Sequence, residues 1–209
     1  MSETRGRPWS SMAILGASGI LLVLAGAVDL ALRADRPLDM DLGWYGFLDA
    51  HRIPAIESIA IALNYIGGTL SMTIVSIAVV TVFLVLRRFR DAATVGLAVG
   101  LATAISTLIK LSLNRPRPAG GVTDVETSSF PSGHATAAAA ITVALALIFS
   151  RVWIWALAAI WIVAMALSRT YLLVHWASDV LAGAVLGSSV ALLVYTLVHV
   201  LLSRRTIRA

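Results

Sequence analysis

The 209-residue sequence contains no cysteine, which excludes disulfide bonds, zinc–thiolate sites and iron–sulfur clusters. Charged residues are also scarce at 13%, about half the share of ~25% typical of soluble domains. Lys and Arg (16) outnumber Asp and Glu (11), but so few charges cannot form a basic face for a nucleic-acid partner. Hydrophobic residues make up 59% of the chain. The composition therefore excludes a disordered chain and an ordinary soluble enzyme, and predicts a single transmembrane domain over residues 1–209.

Six apolar stretches approach the ~20 residues that a helix needs to cross a bilayer. A shorter stretch, Ile53–Ile66, is interpreted as an interfacial helix before the second span; its Glu57 and Asn64 either contact a head group or face solvent. Only Arg151 separates the fourth and fifth spans, which predicts a tight helical hairpin. The expected fold is an all-α bundle of six transmembrane helices, with spans at Ser11–Leu32, Thr69–Leu86, Ala92–Ile109, His134–Ser150, Val152–Tyr171 and Val180–Leu202.

The first span follows two arginines, as a signal peptide does, but its apolar run is longer than a signal core, so we expect a retained helix. With six spans and both termini inside, nine basic residues fall on the inner side and seven on the outer side. Three of the outer seven are assigned to chemistry below, and the remaining bias follows the positive-inside rule. We therefore expect a plasma (inner) membrane protein with cytoplasmic termini. The inner residues are Arg5, Arg7, Arg87, Arg88, Arg90, Arg151, Arg204, Arg205 and Arg208.

Three polar segments fall on the predicted outer side, and the first comprises residues 110–118. Lys110 lies on the last turn of the third span. Pro116 and Pro118 cannot continue a helix and force the residues before them, Arg115 and Arg117, into an extended conformation. Taken alone, the segment is explained by a snorkelling lysine and two interfacial anchors.

The second segment, residues 128–134, reads Ser-Ser-Phe-Pro-Ser-Gly-His and directly precedes the fourth span. Ser132 is placed to cap that helix, whose first N–H groups are free to face an anion. Gly133 lets a ligand oxygen approach the backbone closely. A capped helix start explains Ser132 well but explains His134 poorly.

The third segment, residues 168–179, joins the last two spans. His175 and Asp179 are four residues apart, so on a helix they share a face, and a carboxylate behind an imidazole leaves its other nitrogen free to attack. Such a pair is often structural, but Arg169 upstream weakens that interpretation. Together the segments supply three cations, two histidines and one carboxylate, which suits a phosphate and meets the requirements of phosphoryl transfer.

In this order and spacing, the segments resemble the signature of the type 2 phosphatidic acid phosphatase superfamily. The pattern K-x-x-x-x-x-x-R-P is matched at Lys110, Arg117 and Pro118. P-S-G-H is matched at residues 131–134, and S-R-x-x-x-x-x-H-x-x-x-D at Ser168, Arg169, His175 and Asp179. A single short motif carries a false-positive risk, but three complete ones in order do not arise by coincidence. The match separates the two arginines, with Arg117 as the phosphate ligand and Arg115 as an anchor.

The resemblance implies a lipid phosphatase that works through a phosphohistidine, without a metal cofactor. His175 would be the nucleophile, Asp179 its partner, and His134 the acid and then the base. The implied substrates are lipid phosphates or diphosphates, with undecaprenyl diphosphate, phosphatidylglycerol phosphate and phosphatidic acid as the best candidates; membrane lipids are the other expected partners. The residues implied to bind phosphate are Lys110, Arg117, Ser132, Gly133 and Arg169.

Two other functions remain open from the sequence. Vanadate-dependent haloperoxidases share the signature but are soluble, whereas this chain has six apparent spans. A non-enzymatic transporter would place its polar site near the membrane midplane, whereas the reactive groups here gather at one end. The pairs Gly96/Gly100 and Gly183/Gly187 are interpreted as helix-packing positions.

Overall fold

The computed structural model describes residues 8–122 and 127–206. Of the residues counted for orientation, Arg5, Arg7 and Arg208 lie outside this part of the chain, as do the side chains of Arg204 and Arg205. The described residues form helices and no strand, which confirms the all-α fold class. The helices are α1 (Pro8–Leu32), α2 (Asp39–Ala50), α3 (Pro54–Ile66), α4 (Thr69–Val85), α5 (Phe89–Ser112), α6 (Gly133–Phe149), α7 (Val152–Tyr171) and α8 (Ala177–Thr206).

Four of these helices, α1, α5, α7 and α8, are long and apolar enough to cross a membrane. Helices α3 and α4 meet at a break of two glycines with a 49° bend, and together they make a fifth candidate span. Helix α6 has 17 residues, which at 1.5 Å per residue is about 25 Å and short of a full crossing. The chain is thus an all-helical membrane protein, but the exact count of six spans is not confirmed.

Helix α6 lies at the centre of the bundle, against α4, α5, α7 and α8. It has ten buried residues, among them four consecutive alanine or isoleucine positions, 138–141. Its contact with α8 is unusually close, because a Cβ added at Gly187 would lie 2.2 Å from the carbonyl oxygen of Thr136. The packing interpretation of Gly183/Gly187 is confirmed. For the other pair the structure supports it only in part: a Cβ at Gly96 would lie 3.6 Å from the Val80 side chain of α4, whereas one at Gly100 would meet nothing within 4 Å among the described residues.

The predicted hairpin between the fourth and fifth spans is confirmed. Helix α6 ends at Phe149, α7 begins at Val152, and Ser150 turns the chain in the left-handed conformation with φ 51°. Helix α2, by contrast, was not predicted. Two glycines lower its helix propensity, and its first turn is stabilised instead by Asp41, whose Oδ2 accepts the Leu38 N–H at 3.0 Å.

The polar segments all lie at one end of the bundle, where α5 and α7 end and α6 and α8 begin. The N–H of Ser132 donates to the carbonyl of Asp179 at 2.9 Å, which joins the starts of α6 and α8. The Ser129 N–H donates to the Arg115 carbonyl at 3.0 Å and joins the first segment to the second. Nearby, the Tyr171 hydroxyl accepts the Ile53 N–H at 2.6 Å and holds the start of α3 against the end of α7.

Candidate active site

His175 follows α7 in a short loop, and Asp179 lies in the first turn of α8. Their Nδ1 and Oδ2 atoms are 3.4 Å apart, and the Trp176 N–H donates to the same carboxylate oxygen at 2.9 Å. The imidazole is 4% exposed. Burial lowers the pKa of His175 to about 4, although the carboxylate beside it acts in the opposite direction. The ring is therefore neutral at pH 7.

Arg117 lies on the other side of the same imidazole. Its Nη1 is 3.3 Å from the Nε2 of His175 and donates to the Val174 carbonyl at 2.6 Å. A guanidinium has no acceptor, so Nε2 must be the unprotonated nitrogen, and the ring proton sits on Nδ1 facing Asp179. Burial lowers the pKa of Arg117 from its ordinary value, but an arginine stays charged. The lone pair of Nε2 thus points toward a cation.

Two further cations lie at this end of the bundle. Lys110 Nζ donates to the Ser128 carbonyl at 2.7 Å, and Arg169 Nη1 donates to the side-chain oxygen of Asn64. The charges of Lys110, Arg117 and Arg169 are close enough to act on one another. Lys110 and Arg117 lie close enough to His175, and Arg169 and Arg117 close enough to His134, for their charges to act on these rings. Because like charges repel, gathering three cations beside these two histidines favours a bound anion there.

The first turn of α6 lies at the same end of the bundle, where Gly133 and His134 line a cavity together with Lys110. Ser132 occupies the N-cap position, as predicted, but its hydroxyl makes no capping hydrogen bond. A Cβ added at Gly133 would meet nothing within 4 Å in the described part of the chain. The His134 ring is close enough to Arg169 and His175 to interact with their charges. The helix start therefore offers open space and N–H groups that have no partner within the helix.

Three buried polar atoms of these residues have no hydrogen-bond partner among the described residues. They are Ser132 Oγ, His134 Nε2 and Arg169 Nε. Buried polar groups are nearly always paired, and each such exception calls for an explanation. Here the three exceptions belong to two of the polar segments, residues 128–134 and 168–179, which lie at the same end of the bundle. Oxygen atoms of a ligand at that place would satisfy them.

Arg115 is not an interfacial anchor, so that prediction is wrong. Its side chain is fully buried, with Nη2 2.6 Å from Asp41 and Nη1 in contact with Asp179. The reason is geometric: alternate residues of an extended chain lie on the same side, so Arg115 turns inward together with Arg117. Ser178 completes the group by donating its N–H and its hydroxyl to Asp41, each at 2.8 Å.

The comparison with known families decides the identity of the fold. The model of the PAP2 superfamily matches residues 91–202, which include all three polar segments. The chain belongs to the PAP2 superfamily. This confirms the resemblance that the motifs indicated.

Among curated PAP2 relatives, the decaprenylphosphoryl-5-phosphoribose phosphatase of Mycobacterium tuberculosis is 39% identical over 113 residues, which cover 52% of this chain and 62% of that protein. The undecaprenyl-diphosphatase of Sulfolobus acidocaldarius is 45% identical over 65 residues, 31% of each chain. The matched regions thus span less than two thirds of the relatives' own length.

Two solved PAP2 structures share the architecture. The transmembrane PAP2-type phosphatidylglycerolphosphate phosphatase of Bacillus subtilis has a TM-score of 0.72 at 20% identity, over 90% of this chain and 96% of that one. Aquifex aeolicus LpxE has a TM-score of 0.66 at 23% identity, over 75% and 95% respectively. At these identities the likeness shows the fold.

Two residues outside the three polar segments contact residues of the site, and sequence reasoning missed the role of both. The sequence gives Asp41 no feature that distinguishes it from the neighbouring carboxylates Asp35, Asp39 and Asp49, and Asn64 was left between a head-group contact and solvent. In the structure Asp41 is fully buried against Arg115, and Asn64 holds Arg169. Glu57, the other open residue, pairs with Arg52 at 3.0 Å. For Asn64 the available signal was a polar residue on a largely apolar helix, and for Asp41 it was one of three aspartates on α2; neither signal by itself names a partner.

Proposed function

We propose that this protein is a membrane lipid phosphatase that hydrolyses the terminal phosphate of a lipid phosphate or diphosphate through a phosphohistidine intermediate. One observation carries the proposal: the unprotonated Nε2 of His175 lies 3.3 Å from Nη1 of Arg117, at the end of the bundle where buried polar atoms of Ser132, His134 and Arg169 have no partner among the described residues. The relatives' activities on lipid-linked phosphates support it.

In the first step, Nε2 of His175 attacks phosphorus in line with the leaving oxygen. The nitrogen–phosphorus bond forms as the phosphorus–oxygen bond breaks, and His134 gives a proton to the departing lipid oxygen. The ring of His175 becomes positively charged, and Asp179 stabilises that charge through Nδ1–H. Charge on the equatorial phosphate oxygens is neutralised by Lys110, Arg117 and Arg169, and by Ser132 and the Gly133 N–H.

In the second step, His134 takes a proton from a water molecule, whose oxygen attacks the same phosphorus. The nitrogen–phosphorus bond breaks, inorganic phosphate leaves, and His175 returns to its neutral form. His134 thus gives a proton in one step and takes one in the next, so the cycle balances. The three side-chain cations supply charge neutralisation, and the proposed reaction needs no metal cofactor.

The substrate is an amphiphile, because the site lies at the end of an apolar bundle where a head group can meet water while its tail stays in lipid. Undecaprenyl diphosphate, phosphatidylglycerol phosphate and phosphatidic acid all fit this description. We further propose that the site faces the outer side of the plasma membrane, as the distribution of basic residues favours.

Phosphate release by the purified protein in detergent tests the proposal, with the three lipids as substrates and with EDTA in a parallel reaction. We expect release that EDTA does not abolish, and an acid-labile phosphoenzyme that forms with radiolabelled substrate and is absent from His175→Asn. Loss of activity with EDTA would contradict the metal-independent route. Equal inactivity of the wild type and the variant on all lipids would favour transport, and vanadate-dependent bromide oxidation would favour a haloperoxidase.

A further inference from the structure

A cavity of about 200 Å³ opens from the candidate active site into the flank of the bundle. It lies between α4 and α5 and touches the first residues of α6, with Lys110, Gly133 and His134 among its walls. The groove between α3 and α7 is different in kind, because its lining is almost wholly apolar, as at Leu63 and Leu167. The cavity beside Lys110 therefore adjoins the proposed phosphate site, and its lining includes polar side chains that the other groove lacks.

The polarity of this cavity changes with depth along α5. At 1.5 Å per residue, Thr107 lies ~4.5 Å below Lys110, Thr103 ~10 Å below it, and Val99 ~16 Å below it. Ser106 lines the cavity beside Thr107, and α4 adds two more hydroxyls at Thr69 and Thr73. From the mouth inward, the lining runs from charge through hydroxyl groups to hydrocarbon.

The hydroxyls that α5 contributes are free to bind a ligand. Elsewhere on the same helix, Thr94 donates to the Arg90 carbonyl at 2.8 Å and Ser112 donates to the Leu108 carbonyl at 3.0 Å. Such bonds are the usual way in which a hydroxyl on a helix within the membrane is satisfied. The hydroxyls of Thr103, Ser106 and Thr107 have no partner among the described residues; Ser106 is buried, whereas Thr103 and Thr107 are exposed along the open side of the cavity. On α5, therefore, the hydroxyls without a partner are the ones that line this cavity.

We propose that this cavity binds a neutral, hydroxylated linker, a sugar or a glycerol, between the phosphate that is cleaved and the hydrocarbon of the lipid. The inference rests on the proposed phosphatase function and narrows its substrate class. In a prenyl diphosphate the hydrocarbon begins directly after the second phosphate, so it would lie against Thr103 and leave that hydroxyl unpaired. A phosphomonoester on a sugar or glycerol places oxygen atoms at that depth.

The test compares kcat/KM for three substrates: a polyprenyl-phosphosugar phosphate, phosphatidylglycerol phosphate, and a prenyl diphosphate of the same chain length. Thr103→Val and Thr107→Val remove a hydroxyl and keep the side-chain shape. We expect Thr103→Val to lower kcat/KM by about three- to tenfold for the substrate with the matching linker and to leave the prenyl diphosphate unchanged. The substrate with the larger loss identifies the linker as sugar or glycerol. Thr107→Val should lower kcat/KM for that same substrate.

Two controls separate a lost contact from a damaged fold. Thr94→Val removes a hydroxyl from the same helix that is already paired, and should leave all three rates unchanged. Thr103→Ser keeps the hydroxyl and should restore the rate. Equal loss on all substrates, or no loss with Thr103→Val, would overturn the inference while the phosphatase function stands. A wild type inactive on every lipid would overturn the proposed function, and the inference with it.

Discussion

The carboxylates of Asp41 and Asp179 share one buried guanidinium, that of Arg115, although Asp41 belongs to α2 and Asp179 to α8. Both carboxylates and the guanidinium are fully buried. Helix α2 is thereby connected to the carboxylate that orients His175. Such connections place residues from outside the three polar segments next to the groups of the site. Two predictions depend on them.

Asp41→Asn should destabilise the protein by about 3–5 kcal/mol, because removing one partner of a buried ion pair leaves the remaining charge poorly compensated. Thermal or denaturant unfolding in detergent micelles measures the change. Asp29→Asn is the matched control, since Asp29 pairs with Arg33 at 2.7 Å on the exposed surface and should cost no more than ~1 kcal/mol. Equal effects of the two substitutions would contradict the importance of the buried group.

Asn64→Ala should lower kcat/KM by about 10- to 100-fold, because Arg169 loses the side-chain hydrogen bond that positions it and bonds to charged groups are the stronger ones. Steady-state kinetics with a lipid phosphate measures the loss. Glu57→Gln, on the same helix and paired with Arg52, should leave the rate nearly unchanged. If Asn64→Ala behaved like Glu57→Gln, Asn64 would have no role in placing Arg169.

His175→Asn should reduce phosphate release by at least about 10³-fold, because the proposed reaction has no other nucleophile. The measurement is initial-rate phosphate release together with trapping of the phosphoenzyme. His51→Asn serves as the control, since that ring is exposed, has its Nδ1 2.7 Å from the Phe47 carbonyl oxygen and packs on the Phe47 ring. Residual turnover of His175→Asn near the wild-type rate would rule out the phosphohistidine route.

The protonation of His175 should occur far below the usual histidine range. Since burial lowers its pKa to about 4, the nucleophilic neutral form persists as the pH falls through 6.5 and is lost only near 4. A substrate phosphate titrates near pH 6, so the ring is best followed directly by NMR of ¹⁵N-histidine protein, with His175→Asn to assign the signal. A midpoint near 6.5 would contradict the effect of burial.

The lowered pKa of His175 also predicts how the free energy of unfolding depends on pH. The unfolded ring binds a proton near pH 6.5, whereas the folded ring does not until about pH 4. The folded state should therefore be fully stable above pH 6.5 and lose stability as the pH falls from 6.5 to 4. Unfolding midpoints across this range measure the loss, which should be smaller in His175→Asn.

The orientation of the site can be tested because the chain has no cysteine of its own. Ala119→Cys lies beside the first polar segment, and Val152→Cys lies at the start of α7, at the other end of the bundle. Both positions are exposed. In intact cells a membrane-impermeant thiol reagent should label Ala119→Cys and spare Val152→Cys. The reverse pattern would place the site on the cytoplasmic side.

Much of the fold follows from the sequence because apolar length determines a membrane helix. Helix α7 was predicted with its exact bounds, and the α6–α7 hairpin followed from the single residue left between two apolar runs. The three polar segments were recognised because their residue types and spacing are specific. Arg117 does contact His175, as a shared site requires.

The remaining features depend on partners that lie far apart in the chain. Asp41 is 74 residues from Arg115, and Asn64 is 105 residues from Arg169, so neither pair has a local pattern. Helix α2 carries two glycines and no clear apolar period, and it forms because Asp41 is held by Arg115 and Ser178. The central position of the short helix α6 likewise depends on the helices around it.

Because only two residues connect α6 and α7, the lengths of these two helices determine where their far ends lie relative to each other. His134 lies in the first turn of α6 and Arg169 in the last turn of α7, so the position of each along its helix is set by its distance from the same turn at Ser150 and Arg151. Deleting one residue from either helix would rotate its far end by about 100° and draw it back by about 1.5 Å. The phosphate site would come apart although none of its residues had been changed.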